Sequence, residues 1–329
     1  MQSYYIFLVK IYKKLKQPIL ITGASGFVAS NLVRYFVSKK IKINILLNRK
    51  TNIWRIEDII HKTNFFYSDL GNEKDIRRII KKIKPKTIFH FAAHGAYSNQ
   101  TDAKLIKKTI LNGTFNLINE CKKYGFNNFI NTGSSSEYGF KKKRMSENDV
   151  LVPNSYYSVF KSSATLLCQY ESIANNLSIT TIRPFHVYGP YEEPTRLIPT
   201  LIHQLINNKK SKLVSPKISR DLIFIDDVIN FYLLVGTKEK LRGEIFNLGF
   251  GKKITIKDIY DHLKKITHSK VNNKWNSMKN RSWDQTVWYS NMTNVKNKLN
   301  WKPKINFKEG LYKTLIWYKN FYNENKRYK

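Results

Sequence analysis

The chain has 329 residues and is 42% apolar, enough for one large or two closely joined domains with an apolar core, which excludes wholesale disorder. Its formal net charge is +35, but the cations are dispersed, which argues against specific nucleic-acid recognition and fits a surface that attracts an anionic diphosphate. Two cysteines, Cys121 and Cys168, without CxxC spacing exclude a disulfide framework or a cysteine metal site, and point to a reducing cytoplasm.

Residues 1–17 form an N-terminal extension. Its apolar run, Tyr4 to Val9, is too short to span a bilayer and reads as part of an amphipathic surface helix or of a tail; no other segment approaches a membrane span. Pro18 to Thr22 is a short apolar run, followed by helical spacing over Phe27 to Ser38. Ile43 to Leu47, Phe65 to Tyr67 and Thr87 to Ala93 are further apolar runs, with helical patterns over Glu73 to Ile83 and Ala103 to Tyr124. Phe129 to Thr132 and Ile179 to Arg183 read as two more buried strands. This alternation predicts an α/β fold, a doubly wound parallel sheet over 18–183. From 184 to 329 the pattern loosens into Pro-containing loops and shorter helices, predicting a smaller C-terminal substrate-binding domain, with 244–249 returning to the sheet.

The first strand runs into Thr22-Gly23-Ala24-Ser25-Gly26-Phe27-Val28-Ala29. Gly23 permits a tight turn, Gly26 lets the backbone approach a pyrophosphate, and Ala29 allows close helix–strand packing. The helix start offers N–H groups to the phosphates, so Gly23, Ser25, Gly26, Phe27 and Val28 are candidate dinucleotide-binding residues. At the end of the second strand, Leu47-Asn48-Arg49-Lys50 lacks the acid that would select NAD and carries two cations. That pattern predicts NADP ahead of NAD, with Arg49 as the 2′-phosphate contact; the competing reading is two more surface charges. Asp69, with Leu70, is placed for the adenine edge, and Ala92 and Ala93 allow close approach at the fourth strand.

Tyr157-Ser158-Val159-Phe160-Lys161 sets a phenol and an ammonium on one helix face. A neighbouring cation favours the phenolate, which makes Tyr157 a general acid/base candidate near neutral pH, and Lys161 could also bind a ribose. Tyr156 lacks such a partner and reads as packing. Between the Gly-rich turn and this helix, Thr132-Gly133-Ser134-Ser135-Ser136-Glu137-Tyr138-Gly139 supplies a serine at a strand end, where Ser134 can bond the oxygen that Tyr157 protonates.

Together with Phe89-His90-Phe91-Ala92-Ala93, Asn112-Gly113-Thr114, Arg183-Pro184-Phe185-His186-Val187-Tyr188-Gly189-Pro190, Arg220-Asp221-Leu222-Ile223-Phe224-Ile225-Asp226-Asp227-Val228 and Leu299-Asn300-Trp301-Lys302-Pro303, these motifs resemble the extended short-chain dehydrogenase family of nucleotide-sugar epimerases, dehydratases and reductases. The resemblance runs from about Pro18 to Gly310. It implies a Rossmann domain, a small C-terminal domain that binds the nucleotide diphosphate, and a homodimer. It puts Ser134, Tyr157 and Lys161 on catalytic positions; the histidines, including His94, form no metal-like cluster in the sequence, so no metal is expected. Ser135, His186, Arg196 and Arg220 are the candidate substrate contacts; for Arg220 a structural ion pair with Asp226 or Asp227 stands beside the ligand role.

Two departures bear on the reaction. Dehydratases of this family need an acidic pair after the catalytic hydroxyl residue, and here those positions are Ser135 and Ser136; Glu137 lies one place further on and is expected to point differently. His186 replaces the usual Asn. The similarity is then to nucleotide 4-keto-sugar reductases, so the expected reaction is reduction of a nucleotide-linked 4-keto-(6-deoxy)sugar with Tyr157 as proton donor. The alternative is a 4-epimerase that keeps its NAD. A more remote one is a non-catalytic Rossmann binding protein, against which the intact Ser134, Tyr157 and Lys161 argue.

Overall fold

A computed structural model describes residues 12–97, 99–141, 143–278 and 287–324. The apolar run Tyr4 to Val9 lies outside the described residues, and Tyr12–Lys14 forms a short 3-10 turn. The elements are β1 (Ile19–Thr22), α1 (Phe27–Ser38), β2 (Asn44–Leu47), β3 (Asn64–Tyr67), α2 (Glu73–Ile83), β4 (Thr87–His90), α3 (Ala103–Lys107), a π-helical turn (Lys108–Asn112), α4 (Gly113–Lys122), β5 (Asn128–Thr132), α5 (Tyr156–Ala174) and β6 (Ile179–Pro184). They continue through β7 (His186–Tyr188), α6 (Leu197–Ile206), β8 (Ser219–Arg220), β9 (Leu222–Phe224), α7 (Ile225–Gly236), β10 (Ile245–Leu248), β11 (Ile254–Thr255), α8 (Ile256–Thr267), α9 (Thr293–Leu299) and α10 (Phe307–Glu324).

Two compact units result. The first is built from the described residues up to Gly139, with Val150–Pro184 and Ile229–Phe246; the second from Phe140–Asp149, Phe185–Val228 and the residues from Asn247 on.

The seven-stranded sheet has the order β10-β6-β5-β4-β1-β2-β3. Pairing is parallel for β1 with β2 and β4, for β2 with β3, and along β4, β5 and β6. All four residues of β1 and of β4 are buried, as strands covered on both faces must be. The strand order reverses at β1, so a crevice opens beyond the carboxyl ends of β1 and β4, where Thr22 is in register with His90.

The helices that cover the sheet follow from local chemistry. In α2 the Asn72 side chain caps the first turn by accepting from the Asp75 N–H, Ile76, Ile79, Ile80 and Ile83 form the buried stripe, and Lys84 ends the helix in the left-handed conformation. These isoleucines pack with Leu20, Ile88, Leu117, Phe129 and both cysteines in one core cluster. Burial raises both thiols well above their ordinary range, so Cys121 and Cys168 act as small apolar residues.

The Ala103 to Tyr124 pattern reads as one helix, but the structure breaks it at the π turn. At this turn the Ile110 carbonyl accepts from the Gly113 N–H and also from the Thr114 hydroxyl, the latter at 2.5 Å. Gly113 follows at a close approach: a Cβ there would lie 2.8 Å from Leu70 Cβ. Hydrophobic spacing does not register that local change of pitch.

In the second unit β7 runs parallel to β9 and β8 pairs antiparallel with β11. Asp221, between β8 and β9, is wholly buried. Its carboxylate accepts from the N–H groups of Phe250, Gly251 and Ser290 and from the Ser290 hydroxyl, fixing the strand that carries Arg220.

Candidate active site

The Gly-rich turn sits at the end of β1. Gly23 has φ +67°, and a Cβ on it would lie 2.7 Å from Ala92 N and Cα. Only glycine fits that backbone approach between the β1 and β4 ends. Gly26 donates its N–H to Gly23 O at 2.9 Å and opens α1 with no side-chain cap. The first N–H groups of α1, at Phe27 and Val28, are thus presented without a competing cap, the donor set a pyrophosphate requires. These residues fit a dinucleotide. Ser25 is buried, and its carbonyl accepts from Arg55 Nη1 at 3.4 Å.

Beneath the turn runs a directed hydrogen-bond chain. The Ala92 N–H donates to Thr22 Oγ1 (3.3 Å), Thr22 Oγ1 lies 2.7 Å from His90 Nδ1, and His90 Nε2 lies 2.9 Å from Thr114 Oγ1. The Thr114 proton goes to Ile110 O, so Thr114 accepts from Nε2–H and Nδ1 accepts from Thr22. The imidazole is therefore neutral. Burial, aided by the Lys161 charge, pushes it down to about 3. In the sequence His90 stands only within a motif, and a short buried strand gives no sign of what its polar side chains meet.

Asp69 lies past β3. Burial works to raise its carboxyl, but hydrogen bonds from Lys108 and the Gly71 N–H, with the charges of Lys108 and Lys50, hold it below the usual carboxylate range. Leu70 packs in the core, and its carbonyl accepts from Asn116 Nδ2 at 3.0 Å. Arg49 is exposed, with its guanidinium 5.1 Å from the centre of the Tyr67 ring.

The serine turn follows β5 as a 3-10 helix, Ser135–Tyr138. Ser134 Oγ accepts from the Ser136 N–H at 3.1 Å, and the Ser134 N–H donates to Glu137 Oε1 at 2.7 Å, forming a capping box. Ser135 is buried. Glu137 is fully buried, and Arg183 Nε donates to its Oε2 at 2.8 Å. Gly133 is required here, because a Cβ on it would meet Glu137 Oε1 at 2.5 Å.

Helix α5 packs on this turn. It starts in a capping box in which Ser155 Oγ accepts from the Ser158 N–H. Lys161 is buried and donates Nζ–H to the Thr132 carbonyl at 2.6 Å, with Nζ 6.0 Å from the Tyr157 ring centre. Burial pushes the Lys161 ammonium down to about 8, against the upward pull of Glu137. The Tyr157 ring packs on Ile106, Ile110 and Ala164. Tyr232 of α7 donates to Thr132 Oγ1 at 3.0 Å and acts electrostatically on Tyr157, a neighbour that no motif announced. Tyr156, read as packing, is largely exposed and stacks on Phe160 with ring centres 6.4 Å apart.

In the second unit the structure brings His186, Arg196 and Arg220 together. Burial and both guanidinium charges push the His186 imidazole down to about 3, and its Nε2 is buried without a hydrogen-bond partner. Arg220 Nη1 donates to Ser219 O at 2.9 Å. Asp227 is taken up by the N–H groups of Lys304 and Ile305. Among the described residues no cluster of three or more His, Cys, Asp or Glu could hold a metal, and no helix is long and apolar enough to cross a membrane.

The model of the NAD dependent epimerase/dehydratase family matches residues 19–249. A dTDP-D-glucose 4,6-dehydratase of Dictyostelium discoideum is 28% identical, covering 92% of this chain and 82% of its own length. Among solved structures, dTDP-glucose 4,6-dehydratase from Bacillus anthracis in complex with NAD is 26% identical with a TM-score of 0.81, covering 94% of this chain and 99% of that one. UDP-glucuronic acid 4-epimerase from Bacillus cereus, in complex with UDP-glucuronic acid and NAD, is 25% identical with a TM-score of 0.82, covering 92% and 99%. These structures overturn the expectation of NADP, since both hold NAD. The physical reason lies at β2: Arg49 is spent on the face of Tyr67, and Lys50 acts on Asp69, so the two cations form no dedicated clamp for a 2′-phosphate.

Proposed function

The chain belongs to the NAD dependent epimerase/dehydratase family, and from that premise we propose that it interconverts nucleoside-diphosphate hexoses that differ in configuration at C4. It is an NAD-dependent enzyme that acts on nucleotide sugars. The observation that carries the finer reading is the inward turn of Glu137. It is the only acid in the serine turn, it is fully buried, and its two oxygens are occupied by Ser134 N–H and Arg183. Dehydration needs groups that move protons at C5 and C6, and Ser135 and Ser136 cannot do so near neutral pH. Oxidation and return at C4 need only one proton-moving group, which Tyr157 supplies. The similarity to the Bacillus cereus 4-epimerase, solved in complex with NAD, supports this reading over the reductase expected from sequence.

When bound at the Gly-rich turn, NAD supplies the acceptor and donor of hydride at the sugar carbon. The chain does the rest. Tyr157 takes the proton of the C4 hydroxyl and returns it. Lys161, held by the Thr132 carbonyl, keeps positive charge beside the phenol and favours its ionised form. The Ser134 hydroxyl accepts from Ser136 N–H, which leaves its own proton to donate to the sugar oxygen. In the second unit Arg196 and Arg220 supply charge for the diphosphate, and the neutral His186 offers Nε2 as a hydrogen-bonding group. A second copy of the chain is the proposed protein partner, on the exposed apolar stripe of α5 formed by Val159, Leu166, Tyr170 and Ile173.

The test is incubation of the purified protein with NAD and a panel of nucleoside-diphosphate hexoses, followed by proton NMR. Interconversion of C4 epimers without net change of cofactor is expected. A 4-keto-6-deoxy product would make the protein a dehydratase. Stoichiometric oxidation of added NADH with a 4-keto-sugar, and no epimerisation, would restore the reductase.

A further inference from the structure

Glu137 holds two parts of the site at once. One carboxylate oxygen accepts from the Ser134 N–H at 2.7 Å and the other from Arg183 Nε at 2.8 Å. Arg183 is fixed in turn, with Nη1 3.2 Å from Tyr138 OH and the guanidinium 5.0 Å from that ring's centre. The Gly133 backbone leaves room for the carboxylate where any side chain would collide with it. A buried ion pair of this kind adds little stability against well-packed apolar residues, so its presence within the serine turn, three residues after Ser134, calls for another reason.

We propose that Glu137 is a positioning residue for the reaction: its carboxylate sets the Ser134 turn and places a negative charge in the same buried turn whose Thr132 carbonyl holds the Lys161 ammonium. This rests on the roles given above to Ser134, Tyr157 and Lys161. The groups that act on Lys161 are Glu137 from the serine turn, His90 from β4, and Cys168 and Tyr157 on α5 itself; Tyr232 of α7 acts on Tyr157, and Arg183 of β6 faces Glu137. His90 is neutral, and burial keeps the Cys168 thiol protonated. Burial also pushes the Glu137 carboxyl up, but both of its oxygens serve as acceptors, one from a guanidinium, and the ionised form satisfies both donors. Of the groups that act to raise Lys161, Glu137 therefore acts most strongly. Without it, burial acts on Lys161 unopposed, and the ammonium loses its proton at lower pH.

Two variants separate this role from plain support. Glu137→Gln removes the charge but strands Arg183. The double variant Glu137→Gln with Arg183→Met removes both charges and keeps volume, which preserves folding where the single variant fails. The full chain is labelled with ε-13C lysine, and the Lys161 signal is assigned by its loss in Lys161→Arg. Surface lysines titrate near 10.4, so a buried one near 8 stands apart. In the folded double variant Lys161 is expected to titrate at least about one pH unit lower than in the wild type. Turnover of UDP-glucose with NAD is expected to lose its alkaline limb at correspondingly lower pH, through kcat rather than KM. An unchanged Lys161 titration overturns the proposal, as does wild-type turnover and pH profile in the double variant. Tyr157→Phe is run in parallel. If it keeps full turnover, the catalytic reading fails; if it is inactive while Lys161 titrates normally in the double variant, only the role of Glu137 fails. The titration needs no substrate, so it decides even if UDP-glucose is not turned over.

Discussion

A phenol can move protons at neutral pH only where its surroundings favour the phenolate, and on the proposed function the buried Lys161, one helical turn from Tyr157, is the group that supplies that bias. Tyr157→Phe is expected to cut turnover at least about a hundredfold, the scale of general acid–base catalysis, with NAD affinity by calorimetry largely kept. His90 makes a different prediction. Its folded-state value of about 3 lies far below the 6.5 of an unfolded histidine, so its contribution is fully present above pH 6.5 and is lost as pH falls toward 3. Between pH 7 and pH 5 it should account for about 2 kcal/mol of lost stability. His90→Gln, which does not titrate, should lose correspondingly less in urea melts at the two pH values; an unchanged slope would remove His90 from the acid response. Tyr157 and Lys161 were legible in the sequence because helical spacing alone puts them on one face. The neutrality of His90 was not, because it depends on Thr22 and Thr114, which lie 68 and 24 residues away.

At the scale of elements, the strand–turn–helix from Ile19 to Ser38 was readable as a unit, since each glycine has a local task. The tertiary contact sharpens it: Gly23 must be glycine both for its φ of +67° and because the backbone of Ala92 lies in the way of a Cβ. Gly23→Ala is expected to cost on the order of 1–3 kcal/mol in denaturant unfolding and to abolish NAD binding. Near-normal NAD affinity in that variant would mean the turn is not the pyrophosphate cradle. The helix predicted over Ala103 to Tyr124 shows the reverse case. Its apolar spacing was right for burial, yet the π turn at Lys108–Asn112 depends on Thr114 bonding Ile110 and on Gly113 passing Leu70, neither of which alters the hydrophobic pattern.

For the whole molecule, the α5 stripe of Val159, Leu166, Tyr170 and Ile173 sits on a helix whose opposite face buries Lys161, Ala164, Thr165 and Cys168. A double variant Leu166→Glu with Tyr170→Glu should weaken self-association at least about tenfold by sedimentation, with the circular dichroism unchanged; a dimer of undiminished stability would place the interface elsewhere. The sequence by itself determined the parallel α/β architecture, the glycine turn that opens α1, the shared helix face of Tyr157 and Lys161, and the family, because these rest on periodicity and on motifs with short, ordered spacings. It misjudged the cofactor, because Arg49 and Lys50 were weighed as free charges, whereas the fold lays Arg49 on Tyr67 and sets Lys50 beside Asp69. Tertiary structure alone decided that Glu137 turns inward to Ser134 and Arg183, that His90 is neutral, and that His186, Arg196 and Arg220 form one cluster. Each of these is a matter of which distant groups share a buried space, where desolvation and charge act over ångströms and sequence separation carries no information.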